Sequence, residues 1–176
     1  MVILFAGLPG SGKSYFANQL VAYSPEYVIY NKDVVREFLF PKDLTDYTAE
    51  QNSLCIDIIL QTIGYLHGQG VDKHFILDGR TFSKKDQVQQ VTEYLEAQGI
   101  DYLFVEFVCS DETARRRIER AIGIHEAKNR DYELYRALKE SQDPLEVDHL
   151  TLHTDDEALL PERIDRFLSY LQNRGT

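Results

Sequence analysis

Cysteine is scarce in this chain: Cys55 and Cys109 are its only two, far apart and each inside an apolar segment. That excludes a disulfide framework and points to buried free thiols in a reducing compartment. Bases are also in the minority, 19 Lys and Arg against 29 Asp and Glu, for a formal net charge of −10. Broad contact with a nucleic-acid backbone needs a basic face, so at most a small local patch is available for it. No apolar run approaches the roughly 20 residues that a membrane-spanning helix needs. The first apolar run, residues 1–6, carries no basic leader and stops at once in glycines. Neither a signal peptide nor an anchor is expected, and the expected location is the cytoplasm. His67, His74, His149 and His153 lack metal-ligand spacing, so no zinc site is indicated. Repeats and low-complexity tracts are missing too. With 43% hydrophobic residues in 176, one folded domain over 1–176 is expected.

What is present starts with Gly7-Leu-Pro9-Gly10-Ser11-Gly12-Lys13-Ser14, a match to G-x-x-x-x-G-K-[ST]. An apolar run precedes it and a helix-like stretch beginning at Tyr15 follows, the strand–loop–helix setting of a phosphate-binding loop. Gly7, Gly10 and Gly12 permit backbone angles that turn successive N–H groups toward a polyphosphate, and the helix N-terminus adds partial positive charge. Lys13 is placed to reach the β- and γ-phosphates, and the Ser14 hydroxyl to bind Mg²⁺. Residues 7 and 9–15 are therefore the expected nucleotide site, with ATP and Mg²⁺ as cofactors.

Strands are expected at 26–30, 74–78, 102–108 and 149–153, and helices at 34–40, 49–66, 132–141 and from Pro161 onward. A helix after Ser83 is expected to be capped by that serine, with Asp86 completing a capping box. Another begins at Asp111. Strands alternating with helices imply right-handed crossovers and a parallel sheet. The expected fold is α/β: a three-layer P-loop NTPase fold, five parallel strands with helices on both faces and a helical lid. Ligands in such sheets gather at the carboxyl ends of the strands, so residues just after each strand matter most.

Asn31-Lys-Asp33-Val34 fails the guanine-reading N-K-x-D pattern, and Asp78 is followed by Gly79 rather than a catalytic Glu. A GTPase and an oligomeric motor ATPase are both disfavoured. The glycine loop, Asn31-Lys-Asp33-x-x-Arg36 and the Asp-ended third strand resemble the polynucleotide-kinase-like and zeta-toxin-like P-loop kinases. The resemblance implies that Asp33 is the general base for an acceptor hydroxyl and that Arg36 binds the substrate. Asp33 also suits a helix N-cap, and Arg36 a solvated helix face; the residues alone leave both open. Asp78 sits where a carboxylate holds Mg²⁺ through water, or caps the next turn. Arg80, two residues on, is a further substrate-side candidate.

Arg115, Arg116, Arg117 and Arg120 crowd one helix, and residues three or four apart share a face. In kinases of this shape, arginines on a lid stabilise the phosphoryl group in transfer. Arg116, Arg117 and Arg120 are the candidates, in a lid at approximately 112–131 that includes His125 and Arg130. The expected activity is an ATP- and Mg²⁺-dependent kinase acting on a hydroxyl. A small-molecule acceptor is favoured, a nucleic-acid 5′ end less so. A nucleoside monophosphate kinase and a nucleotide-binding switch are the alternatives.

Overall fold

The computed structural model describes residues 1–121 and 131–174. His125 and Arg130, like the second half of the expected lid, lie outside the described residues. Among those described, no helix is long and apolar enough to cross a membrane.

Five strands form one sheet: β1 (Val2–Ala6), β2 (Tyr27–Asn31), β3 (His74–Asp78), β4 (Tyr102–Val108) and β5 (His149–His153). All pair in parallel, in the order β2-β3-β1-β4-β5, with Leu4 in register between Leu77 and Phe104. The inner strands β1 and β3 read as near-continuous apolar runs because both faces of the sheet are covered there. Successive side chains alternate across it. Val2, Leu4 and Ala6 face α3 (Ala49–Gly68) and α4 (Lys85–Ala97), packing against Ile56, Ile59, Ile63 and Leu95. Ile3 and Phe5 face the opposite way, onto Phe16 and Leu20 of α1 (Lys13–Tyr23) and Phe167 of α7 (Leu160–Arg174). Short α2 (Lys32–Leu39) follows β2, while α5 (Asp111–Ala121) and α6 (Tyr132–Ser141) share a small cluster of Ala114, Ile118 and Tyr135.

Two expected caps are corrected. Ser83 does not cap α4, which starts two residues later. Its hydroxyl pairs with Thr81 Oγ1 at 2.9 Å, and the Lys85 N–H donates to Asp143 Oδ2 at 3.0 Å. A carboxylate 58 positions away thus does the work expected of the local serine. Asp33 does not cap α2 either. Asn31 does, its Oδ1 accepting from the N–H groups of Asp33 at 2.8 Å and Val34 at 3.4 Å. The helix therefore begins two residues earlier than expected, and Asp33 lies within its first turn.

Candidate active site at the carboxyl ends of the strands

The loop between β1 and α1 carries Gly7, Gly10 and Gly12 at φ of 135°, 78° and 92°, all left-handed conformations that disfavour a Cβ. Space is as demanding as angle. A Cβ on Gly7 would stand 2.5 Å from Phe107 O, and one on Gly10 2.8 Å from Ala114 O. The loop is thus seated on the end of β4 and on α5. Lys13 Nζ folds back across it, donating to Gly7 O at 2.5 Å, Leu8 O at 3.0 Å and Ser11 Oγ at 3.3 Å. The first-turn N–H groups of α1 point out along the helix axis, where an anion is favoured.

One arginine of the four on α5 turns toward this loop. Arg117 donates through Nη1 to Gly10 O (3.2 Å) and Thr154 Oγ1 (3.1 Å), and through Nη2 to Thr154 O (2.6 Å). The buried Thr154 hydroxyl donates onward to Ser11 O at 2.8 Å. Arg116 and Arg120 are exposed on the helix surface, and Arg115 pairs with Glu119. The shared face expected for Arg116, Arg117 and Arg120 is therefore divided: only Arg117 meets the loop.

A cavity of about 230 Å³ opens beside this clamp, lined by Gly12, Tyr15, Phe16, Arg117, Thr154 and Glu157, among others. Tyr15 is exposed at its rim. The segment after β5 is held at every step. Asp155 Oδ1 accepts from Ser110 N–H (2.9 Å) and Oγ–H (2.6 Å), which brings its carboxyl down to about 2. Arg163 of α7 donates to His153 O at 2.5 Å and to Asp156 O. A planar base fits a largely apolar slot of this kind.

Across the sheet, beyond β1 and β3, lies a buried polar group. Asp33 and Arg36 are only 4% and 2% exposed and form an ion pair, Nη1 to Oδ1, of 2.5 Å. Lys32 Nζ approaches the same Oδ1 at 3.3 Å. Arg36 is thus no solvated helical arginine; its plane also lies 5.1 Å from the Tyr47 ring centre. Asn31, the α2 cap, donates through Nδ2 to Asp78 Oδ2 at 3.1 Å, tying β3 to the helix that bears Asp33. This approach requires Gly79 (φ 85°), where a Cβ would stand 3.1 Å from Asn31 Oδ1.

Asp78 is 1% exposed, and its Oδ1 has no hydrogen-bond partner among the described residues. A buried carboxylate oxygen with an unmet acceptor, on the strand beside β1, fits a hard cation that takes oxygen ligands. Ser14, in the first turn of α1, supplies a second oxygen of the right kind. Arg80 is buried against α3 and α4, donating to Gln90 Oε1 at 2.8 Å; Gln90 in turn donates to Asp57 Oδ1 at 2.6 Å. Burial draws its guanidinium down to about 10 against the pull of Asp86 and Asp57.

Sequence reasoning missed Lys32, Asn52, Thr154 and Arg163. Thr154 carried a usable signal, since it is the first residue after β5. Asn52, in the first turn of α3, carried none.

A parallel sheet in this order, with a glycine loop between β1 and α1, defines the P-loop kinase-like fold. The AAA domain family AAA_33 matches residues 2–145, and the chain belongs to it. No curated protein matches the sequence. Among solved structures, a protein of Chloroflexus aurantiacus is similar at 18% identity and TM-score 0.72, covering 98% of this chain and 96% of that one. The APS kinase CysC of Mycobacterium tuberculosis, solved with AMPPNP and APS, is similar at 18% identity and TM-score 0.63, covering 93% and 95%. A gluconokinase of Sinorhizobium meliloti is similar at 14% identity and TM-score 0.67, covering 99% and 97%. At such identities the likeness is one of fold.

Proposed function

We propose that the protein is an ATP- and Mg²⁺-dependent kinase that moves the γ-phosphoryl group to the hydroxyl of a small molecule. The observation that carries this is Asp33, a buried carboxylate held by two cations just after β2, at the same carboxyl end of the sheet as the glycine loop. A carboxylate so placed can accept the hydroxyl proton and aim its oxygen for in-line attack. The resemblance of residues 31–36 to polynucleotide-kinase-like kinases points to the same role for Asp33.

The loop amides and Lys13 bind the phosphates, and the base lies in the slot between Tyr15, Arg117 and the segment after β5. Arg117 orients the loop through Gly10 O and supplies positive charge beside it; Arg116 and Arg120 serve only with movement of α5. Mg²⁺, when bound by Ser14 and Asp78, neutralises charge on the phosphate oxygens. Arg36 works mainly by holding Asp33, and Arg80 by shaping the wall of the acceptor side. The net charge of −10 favours a small acceptor over a nucleic-acid 5′ end.

The test is transfer of labelled γ-phosphate from Mg-ATP to a pooled small-molecule extract or to a 5′-hydroxyl oligonucleotide. Wild type should label a small molecule. Asp33→Asn should bind ATP as well but transfer roughly 10²–10⁴ times more slowly. Undiminished transfer by Asp33→Asn would favour an acceptor that is already an anion, as in nucleoside monophosphate kinases. ATP binding without any labelled product would point to a switch.

A further inference from the structure

Asp33 does not sit in a simple ion pair. Its Oδ1 receives Arg36 Nη1 at 2.5 Å and Lys32 Nζ at 3.3 Å. Two cations converging on one buried carboxylate oxygen repel each other. On their far side they meet again: Lys32 Nζ donates to Asn52 Oδ1 at 2.7 Å, and Arg36 Nη2 donates to the same oxygen. The four groups close a ring in which acceptor and donor alternate: Asp33, Arg36, Asn52, Lys32. Three of the four stand on α2, and Asn52 alone comes from α3.

Asn52 also reaches outward. Its Nδ2 donates to Tyr47 O at 3.2 Å, and Tyr47 holds a left-handed φ of 57° that a tyrosine rarely adopts. A strained backbone persists where its surroundings hold it. Here the restraints are the Asn52 amide and the Arg36 guanidinium over the Tyr47 ring. The segment between α2 and α3 is thereby joined to the carboxylate through Asn52 and Arg36.

We infer that Asn52 is a positioning residue for Asp33: it fixes Lys32 and Arg36 from behind, and through them sets where the carboxylate points. The inference rests on the kinase reading for its consequence, but not for the ring itself. Asparagine suits the place because it offers one neutral oxygen to two cations and still has N–H groups for the Tyr47 carbonyl. A carboxylate there would compete with Asp33 for both cations.

A double-variant cycle tests this. ATP turnover with Mg-ATP is measured for wild type, Asn52→Ala, Asp33→Asn and the pair, alongside ATP affinity. Asn52→Ala alone should slow turnover by about 10-fold or more with ATP affinity within about twofold, and should slow Asp33→Asn no further, since residues acting as a unit are not additive. Losses that multiply would overturn the proposal. If Asn52→Ala does not fold, Lys32→Gln breaks the same ring and runs the same cycle. Urea unfolding of Asn52→Ala, Lys32→Gln and their pair reads the ring without activity. The midpoint shift of the pair should fall short of the sum, and full additivity would refute the ring. An inactive Asn52→Ala beside an unimpaired Asp33→Asn would instead sink the base assignment while leaving the ring standing.

Discussion

Thr154→Val removes one hydroxyl from the clamp between β5, α5 and the glycine loop while keeping the side chain's shape. The hydroxyl has one proton, and it goes to Ser11 O at 2.8 Å rather than to Val108 O at 3.4 Å. Its oxygen accepts from Arg117 Nη1 at 3.1 Å. Arg117 keeps Gly10 O and the Thr154 carbonyl after the change, so its guanidinium is not orphaned. The Ser11 carbonyl loses this donor, in a residue only 2% exposed. An unsatisfied buried acceptor costs about 1–3 kcal/mol. In a chain of this length each kcal/mol lowers the melting temperature by about 2–4 °C, so a drop of about 2–12 °C is expected. Because Ser11 belongs to the glycine loop, ATP affinity should fall as well, by about tenfold for each 1.4 kcal/mol of distortion carried into the bound state. Thermal unfolding and calorimetric titration with ATP measure both. Thr154→Ser, which keeps the hydroxyl, should stay near wild type. A Thr154→Val protein that matches wild type in both assays would refute the clamp.

Asp155 gives a pH dependence. Its carboxyl titrates at about 2 when folded against an ordinary 3.8, so its contribution is present above the ordinary value and is lost as pH falls from 3.8 toward 2. Wild type should therefore exceed Asp155→Asn in urea stability at pH 6, with the gap shrinking below pH 4; a constant gap to pH 2.5 would contradict the Ser110 contacts. Gly7→Ala meets both a left-handed φ and a backbone oxygen 2.5 Å from its new Cβ. It should lose at least about 2 kcal/mol in urea unfolding, and a stable variant with normal ATP affinity would show that the loop is not seated on β4.

Much of the architecture was legible from residue order. The strands at His74–Asp78, Tyr102–Val108 and His149–His153 have the bounds expected from their apolar runs. His74–Asp78 lies inside the sheet and is buried along almost its whole length, whereas the edge strand His149–His153 alternates buried leucines with more exposed residues. The glycine loop was legible because its backbone angles and its seat on Phe107 and Ala114 admit almost nothing but glycine. The caps were not. Ser83 stood at a plausible distance from α4, yet Asp143 holds that helix, and a partner 58 positions away leaves no local trace.

The site divides along the same line. Residue type and spacing marked Lys13 and Ser14 within the glycine-loop pattern and Asp78 at a strand end, while Asp33 was singled out by the resemblance of residues 31–36 to known kinases. Four arginines on α5 looked equivalent in sequence, and only the docking of that helix against the loop turned Arg117 inward and left Arg116 and Arg120 outside. Asn52 gained its place when α3 packed on α2 and brought one neutral oxygen between two cations. The sequence by itself determined the parallel sheet, the phosphate loop and the carboxylates at the strand ends, since these follow from local chemistry. Tertiary structure decided which arginine meets the loop and what holds Asp33, since those contacts join residues that only folding brings within hydrogen-bond reach.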